Sequence, residues 1–365
     1  MAENDFYSIL DRTITAFKNN NINKIGDNVF ASCLSLSAVS ATNCIAIGMS
    51  AFNSCSNLTS IYAPNLLYIG SGAFSNCYNL SSINFSQCTQ IATSAFSGCS
   101  NLSMVSLPNC TSIGSGAFCS CSNLTNVYIP KVGTIYSLCF QGCENLTNFD
   151  FTSILYISNY AFRNCTGLTT LNLPKCSNIQ GEAFRSCTNI SKVSFGVNVA
   201  LNNSVFAYCS NLAEITNSRI TYIGNSCFAG CSKLTNGYFP NCSTVGSACF
   251  HSCSNLTEIS LPKLSYVPYY GFGSDNKIST IYIDVCSNLQ SSAFYSMSYL
   301  RSVYLRSIKS VPTVNTYTFS NSPLYSTTFA SDGATYASIY IPASLYSSFL
   351  ASTYWASISA RLVSI

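Results

Sequence analysis

The feature that most constrains this chain is a Phe that recurs every 22 residues without a slip in register. Cys stands three residues after most of these Phe residues, Leu or Ile stands six after, and Val or Ile usually stands nine after. An exact period of this length is typical of repeat proteins, in which each unit packs only against its neighbours. The thirteen positions are Phe30, Phe52, Phe74, Phe96, Phe118, Phe140, Phe162, Phe184, Phe206, Phe228, Phe250, Phe272 and Phe294.

One such unit is too short to bury its own apolar side chains, so successive units must stack. The segment L-x-x-V-x-L alternates like a strand with one buried face, and equivalent strands of stacked coils run parallel. The segment A-F-x-x-C lacks this alternation and predicts one helical turn on the opposite face. The sequence therefore predicts a solenoid of about 13 coils, with one long parallel β-sheet on one face and short helical turns on the other.

The repeated motif I-(G)-x-x-A-F-x-x-C-x-x-L-x-x-V-x-L-P resembles the BspA-like class of leucine-rich repeats. The resemblance covers about residues 14–311, and the motif recurs in register thirteen times. It implies a leucine-rich-repeat solenoid that acts in adhesion by binding other molecules. It also implies a bacterial adhesin that is normally exported.

The two ends of the chain are predicted to cap the repeats. We divide the chain into an N-terminal cap with the first strand (1–25), the leucine-rich-repeat solenoid (26–311) and a C-terminal cap (312–365). Ile14 falls on the Leu row, so the first strand is expected near Thr13.

The repeat register fails after Val311, and the next Phe of the row, Phe319, comes three residues late. Pro342 suits the first position of a short helix. Trp355, the only Trp, is expected to pack over the last coil.

The chain contains 21 cysteines, and eleven of them form the row from Cys33 to Cys253. Parallel stacking holds the Cβ atoms of neighbouring coils farther apart than a disulfide prefers. The closest pair, Cys119 and Cys121, does not have zinc-ligand spacing. The cysteines are therefore predicted to be small buried hydrophobes, which implies folding in a reducing cytoplasm.

Charge and motifs exclude several classes of function. Charged residues make up 8% of the chain and the net charge is +4, which gives no basic footprint for nucleic acid. No run of about 18 apolar residues is present, so membrane insertion is not expected. His251, the only His, has no adjacent acid and nucleophile, so we predict no catalytic, cofactor-binding or metal-binding residues and no enzyme activity.

The outward positions of the predicted sheet are the candidate binding surface. One row combines tyrosines with polar residues, and Tyr supplies apolar area and a hydrogen bond at little entropic cost. The other interpretation is that Tyr and Thr are simply good strand residues. The candidate row contains Tyr62, Tyr128, Asp150, Asn172, Tyr238, Tyr282 and Tyr304.

Two classes of function remain open: a recognition protein that binds a protein or glycan on a cell surface, and a spacer solenoid without a specific ligand. The segments ILDRTITAFKNNNINKIGDNVF and IYIPASLYSSFLASTYWASISARLVSI resemble the ends of leucine-rich-repeat proteins encoded by phages of gut bacteria. The N-terminal segment lacks the features of a signal peptide. A phage tail protein folds in the host cytoplasm and leaves by lysis, so a phage tail-associated or host-binding protein on the virion is the favoured interpretation. The alternative is a bacterial adhesin on the extracellular cell surface.

Overall fold

The fold is a parallel β-solenoid of stacked coils, seen in a computed structural model that describes residues 12–273, 277–315, 317–325 and 337–365 and the backbone of 5–6. The predicted fold class is confirmed. The coils group into two compact units. The first contains residues up to 176 together with 183–189, and the second contains 177–182 together with 190–365.

The first unit contains strands of two alternating kinds. Even-numbered strands lie on the Val row and make up the front sheet, and odd-numbered strands end near the Ile row and make up the second sheet. In chain order they are β1 (Asp5–Phe6), β2 (Ala16–Lys18), β3 (Lys24–Ile25), β4 (Ala38–Ser40), β5 (Ala46–Ile47), β6 (Ser60–Tyr62), β7 (Tyr68–Ile69), β8 (Ser82–Asn84), β9 (Gln90–Ile91), β10 (Met104–Ser106), β11 (Ser112–Ile113), β12 (Asn126–Tyr128), β13 (Thr134–Ile135), β14 (Asn148–Phe149), β15 (Tyr156–Ile157) and β16 (Thr170–Leu173). The front sheet is hydrogen-bonded in two segments, β2–β6 and β8–β14, and the second sheet is hydrogen-bonded from β1 to β11 and again from β13.

The 22-residue period of the sequence sets the register in which neighbouring strands pair. Val105 pairs with Val127 across β10 and β12, and Ile47 pairs with Ile69 across β5 and β7. Each partner lies one 22-residue step along the chain, so identical side chains stack directly. The second sheet was not predicted, because two-residue strands leave no alternation to detect in the sequence.

The A-F-x-x-C segment is a turn, not the predicted helical turn. Residues two before and two after each Phe from Phe30 to Phe250 adopt positive φ, as at Asn28 (58°) and Ser32 (59°). The Phe30 N–H donates to the Ala51 carbonyl of the next coil at 2.7 Å, whereas a helix would bond within itself. Gly, Asn and Ser are common at these positions because positive φ is costly for most side chains. We call this third set of coil-to-coil bonds the turn ladder.

The Phe row forms a stack of rings in the core of the first unit. Phe30 and Phe52 have centroids 5.1 Å apart with planes at 2°, and the spacing continues to Phe162 and Phe184 at 5.3 Å. These rings are fully buried. Stacked rings at this distance add to the gain from burying their area, so the Phe row is the central stabilising element of the unit.

The Cys row packs beside the Phe row and bonds to it. The Cys55 thiol donates to the Phe30 carbonyl of the preceding coil at 3.0 Å, and Cys121 bonds to Phe96 in the same way at 3.2 Å. All 21 cysteines are free thiols, and all except the half-buried Cys119 are buried. Cys thus serves as a small apolar group with one donor, which explains why Ala does not replace it.

The second unit repeats the same plan, with the front sheet in β18, β20, β23, β25 and β27–β29. Its elements are β17 (Asn178–Ile179), β18 (Lys192–Phe195), β19 (Val199–Leu201), β20 (Glu214–Ile215), β21 (Ile220–Ile223), β22 (Thr244–Val245), β23 (Glu258–Ser260), β24 (Tyr266–Val267), β25 (Thr280–Tyr282), β26 (Asn288–Leu289), β27 (Ser302–Tyr304), β28 (Ser338–Ile341), α1 (Tyr346–Leu350), α2 (Thr353–Ser357) and β29 (Leu362–Ser364). Short 3₁₀ turns occupy Asn217–Arg219, Ala343–Leu345 and Ser359–Arg361.

The C-terminal segment closes the second unit. Phe319 stacks on Phe294 at 5.0 Å although 25 residues separate them, so the Phe row resumes after the change of register. Trp355 is fully buried, meets Phe319 edge-on at 6.1 Å and donates from Nε1 to the Pro312 carbonyl at 3.0 Å. The predicted packing of Trp355 over the last coil is therefore confirmed.

The N-terminal cap is described only in part. Phe17 on β2 packs against Phe30 with a centroid distance of 4.7 Å, and β1 pairs in parallel with β3. Residues 1–4 and 7–11 of the predicted N-terminal cap lie outside the described residues.

Replacing Phe140 with Ala should lower the free energy of unfolding by about 3–5 kcal/mol, because it removes a buried ring stacked on both sides. Urea denaturation measures the change. Gln141→Ala, one residue away and only half-buried, is the control and should change stability by less than about 0.5 kcal/mol. Equal stabilities for the two variants would contradict the central role of the Phe row.

Stability should fall steeply above pH 9. Burial raises the pKa of the Cys55 and Cys187 thiols from 9.0 to about 12, so the folded chain keeps protons that the unfolded chain loses between those values. Each such thiol removes about 1.4 kcal/mol of stability per pH unit well above pH 9, and about 1 kcal/mol between pH 9 and 10, where the unfolded thiol is only partly ionised. The double variant Cys55→Ala/Cys187→Ala should therefore show a slope shallower by about 2 kcal/mol per pH unit between pH 9 and 10. Denaturation at pH 9, 9.5 and 10 gives the slope, and an unchanged slope would contradict the prediction.

Candidate binding face

The predicted binding row lies on the outward side of the front sheet. Tyr62 and Tyr128 end strands β6 and β12, Asp150 follows β14 and Asn172 lies in β16, all in the first unit. Tyr238, Tyr282 and Tyr304 belong to the second unit. Three tyrosines keep more than half of their surface in solvent: Tyr62 (61%), Tyr128 (57%) and Tyr238 (54%).

The neighbouring Thr and Ser row is occupied by internal hydrogen bonds. The Thr59 hydroxyl donates to the Ser37 carbonyl at 2.9 Å, and the Thr125 hydroxyl donates to the Ser103 carbonyl at 3.0 Å. Each hydroxyl thus adds a bond between coils beside the backbone ladder. This row therefore stabilises the front sheet more than it offers hydrogen bonds to a ligand.

An asparagine ladder follows the turns of the first unit. The Asn101 amide donates to the Asn79 side-chain oxygen at 3.2 Å, and the Asn123 amide donates to Asn101 at 3.3 Å. These residues belong to the repeated Asn-Leu-Ser and Asn-Leu-Thr segments. Their side chains bond from coil to coil, which accounts for the repeat of Asn at this position.

A shallow groove of about 560 Å³ crosses the front sheet over β10, β12 and β14. Its volume lies in the range of small-ligand sites, about 300–1,000 Å³. We call it the β14 groove. The side chains that line it include Met104, Asn126, Tyr128, Asn148, Phe149 and Asp150. The structure thus brings together two residues of the predicted row, Tyr128 and Asp150, with polar and apolar neighbours that were not predicted to form a site.

The groove coincides with a break in the repeat. Phe149 occupies the Val row, remains half-buried and meets the rings of Phe140 and Phe162 edge-on at 5.2 and 4.9 Å. Strand β14 has only two residues, and the paired sheet β8–β14 ends there. The Thr152 N–H donates to Asp150 Oδ1 at 2.8 Å, which holds this carboxylate at the end of β14.

A stack of three tyrosines covers the front sheet of the second unit. Tyr304 lies between Tyr282 at 4.5 Å and Tyr340 at 4.3 Å, with nearly parallel planes. Tyr282 and Tyr304 of the predicted row therefore have internal stacking partners, which the sequence did not predict. The predicted row did not include Tyr340, because 36 residues and not 22 separate it from Tyr304. The only signal in the sequence is that the segment SIYI around Tyr340 resembles the segment TIYI around Tyr282.

An ion pair supports this stack. The Arg306 guanidinium binds both carboxylate oxygens of the mostly buried Asp284 at 2.8 and 2.6 Å. The same guanidinium lies 5.0 Å from the Tyr282 ring centroid, within cation–π range. Partial burial, with neighbouring Tyr340 and Tyr282, raises the pKa of Tyr304. Tyr282 and Tyr304 therefore pack against other side chains of the chain itself.

Few charged side chains lie on the outward side of the front sheet. Lys192 and Glu214 occupy neighbouring strands and pair at 2.8 Å. Both are exposed, so the pair contributes little to stability. Within the described part of the chain, no three His, Cys, Asp or Glu side chains cluster as a metal site requires. None of the helices in that part is long and apolar enough to cross a bilayer.

The repeats match a known family over most of their length. The family profile described as "BspA type Leucine rich repeat region (6 copies)" matches residues 23–147, 133–242 and 221–340. This chain belongs to the BspA-type leucine-rich repeat family. No curated protein matches the chain significantly.

Solved structures of other leucine-rich repeat proteins are similar to this chain. A leucine-rich repeat protein from Bacteroides ovatus is 20% identical, with a TM-score of 0.58 over 94% of this chain and 88% of that one. A leucine rich cell surface protein from Faecalibacterium prausnitzii is 22% identical, with a TM-score of 0.48 over 72% of this chain and 87% of that one. At this identity the likeness concerns the fold alone.

Replacing Tyr304 with Ala should destabilise the chain by about 1–3 kcal/mol, because two ring stacks worth about 0.5–1.5 kcal/mol each are lost. Tyr128→Ala removes an exposed ring of the same row and should cost less than about 0.5 kcal/mol. Chemical denaturation of both variants tests this. Equal losses would show that the stack does not stabilise the second unit.

Proposed function

We propose that this protein is a non-enzymatic recognition protein that binds a protein or glycan on a cell surface through its front sheet. One observation carries the proposal: the outward residues of the front sheet change from coil to coil, while the Phe, Cys and Leu rows beneath remain nearly constant. A repeat that serves only as a spacer has no need for this difference. The exposed tyrosines and the β14 groove belong to the variable set.

The composition of this surface suits adaptable binding. Tyr, Ser and Asn recur on it, as they do on antibody binding loops, because they combine contact area with flexible hydrogen bonding. Its low charge means that long-range attraction contributes little, so binding should depend weakly on salt.

The finer proposal is a phage-encoded protein that is tail-associated or binds the host. The two end segments resemble those of phage leucine-rich-repeat proteins, and many buried free thiols suit folding in a reducing cytoplasm. Release by lysis would then replace export. A bacterial cell-surface adhesin is the alternative, supported by membership of the BspA-type family. The gene neighbourhood separates the two: tail genes favour the first and a secretion apparatus favours the second.

A spacer without a ligand is the second candidate function. The hydroxyl and amide ladders favour it, because they show that much of the exposed surface already has internal partners. The two functions differ in what the exposed tyrosines do.

The triple variant Tyr62→Ser/Tyr128→Ser/Tyr238→Ser should fold normally and lose most adhesion to cells that the parent protein binds. These side chains are exposed, so their loss affects contacts with a partner more than the core. Labelled protein and a panel of bacterial and epithelial cells, read by flow cytometry, measure the effect. We expect at least a tenfold drop, about 1.4 kcal/mol of binding free energy.

The matched control is Tyr78→Ser/Tyr136→Ser/Tyr299→Ser, which changes three exposed tyrosines outside the front sheet. It should bind like the parent protein. If both triple variants bind equally well, the front sheet is not the binding surface. If the parent protein binds no cell in the panel, the spacer function is favoured.

A further inference from the structure

We infer that the β14 groove binds a neutral oligosaccharide, an inference that rests on the recognition function proposed above. The groove is shallow and has room for a few sugar units. It is placed where Phe149 interrupts the Val row and the paired sheet ends at β14. The backbone pairing of the front sheet is thus interrupted beyond β14.

The groove offers apolar surface suited to the C–H face of a pyranose ring. Tyr128 and Met104 are more than half exposed, and the half-buried Phe149 lines the groove beside them. An aromatic ring beside a flexible thioether can cover one face of a sugar without a deep pocket. Peptide side chains, by contrast, are anchored mainly in deep, fully desolvated pockets.

The polar groups of the groove are held in place by internal bonds. Asn148 donates from Nδ2 to Asn126 Oδ1 at 2.9 Å, and Asn126 donates to the Thr125 hydroxyl at 3.1 Å. Asp150 Oδ1 accepts a hydrogen bond from the Thr152 N–H. These bonds orient the remaining oxygens, Asn148 Oδ1 and Asp150 Oδ2, before any ligand arrives.

The two remaining acceptor oxygens belong to side chains on one face of the chain. Asn148 and Asp150 are two residues apart in an extended segment, so their side chains lie on the same face, about 6–7 Å apart along the strand. Two preoriented acceptors at this spacing suit a ligand with several hydroxyl donors along one edge. Sugars carry such donors, and preorganisation reduces the entropic cost of binding them.

The charge of the side chains that line the groove distinguishes neutral from acidic carbohydrates. Among the described residues, Asp150 is the only charged side chain that lines the groove, and no cation does. An acidic sugar, such as a sialylated or sulfated one, would meet a carboxylate with nothing to neutralise it. The groove therefore favours a neutral oligosaccharide.

The test is an array of defined neutral, sialylated and sulfated oligosaccharides probed with the full chain. We expect binding to a subset of the neutral sugars and none to their acidic counterparts. Tyr128→Ala should raise the Kd for the bound sugar about tenfold, measured by calorimetry. Tyr62→Ala is the control, because Tyr62 belongs to the same row and unit, is equally exposed and does not line the groove.

Asp150→Asn gives a second test, since the amide oxygen can still accept the Thr152 N–H while the charge is lost. Binding of the neutral sugar should weaken about fivefold, because a charged acceptor makes the stronger bond. Thermal denaturation of each variant checks the fold. Binding only to acidic sugars, no binding to any sugar, or equal effects of Tyr128→Ala and Tyr62→Ala would overturn the inference.

The outcome also separates this inference from the proposed function. If the array is negative but cell adhesion depends on the front-sheet tyrosines and is lost after proteinase treatment of the cells, the partner is a protein. The recognition function then stands and the oligosaccharide site fails. If adhesion survives proteinase but is lost after periodate oxidation of cell-surface sugars, the oligosaccharide site is supported. If neither sugars nor cells are bound, both proposals fail.

Discussion

Backbone hydrogen bonds between successive coils are the constraint on which the rest of this structure depends. Within each unit they run in the front sheet, in the second sheet and in the turn ladder, where Phe30 donates to Ala51. Each coil must therefore present its donors and acceptors at the same places as its neighbours. The exact 22-residue step follows, and where the step lengthens, between Phe294 and Phe319, the ladder still continues, with the Phe294 N–H donating to the Thr318 carbonyl at 2.9 Å.

Stacking also explains the unusual composition. A side chain repeated at each coil meets its own copy about 4.8 Å away, the spacing of paired strands. Like charges at that distance repel, whereas amides, hydroxyls and thiols can bond to the next coil. Asn, Ser, Thr and Cys therefore fill the rows, and charged residues are only 8% of the chain. Where charges do meet on the front sheet they are opposite, as in Lys192 with Glu214 and Asp284 with Arg306.

The same regularity limits where recognition can occur. A side chain that bonds to neighbouring coils has few hydrogen-bonding groups left for a partner. The Thr59 row and the asparagine ladder are examples. Departures from the repeat are more informative. Phe149 opens a groove in the first unit, while the Tyr304 stack closes the surface of the second. Rows that appear equivalent in the sequence thus have different roles.

The sequence by itself determined the solenoid, the coil period, the buried Phe and Cys rows and the capping role of Trp355. Each of these depends on contacts between identical positions one period apart, and a period is visible in a single chain. Only the tertiary structure decided that the A-F-x-x-C segment forms a hydrogen-bonded turn, because φ depends on bonds to the next coil. Only the tertiary structure also showed that Tyr282 and Tyr304 are stacked while Tyr128 borders a groove. Those differences come from single residues that break the repeat, Phe149 and Tyr340, whose effects depend on packing in three dimensions.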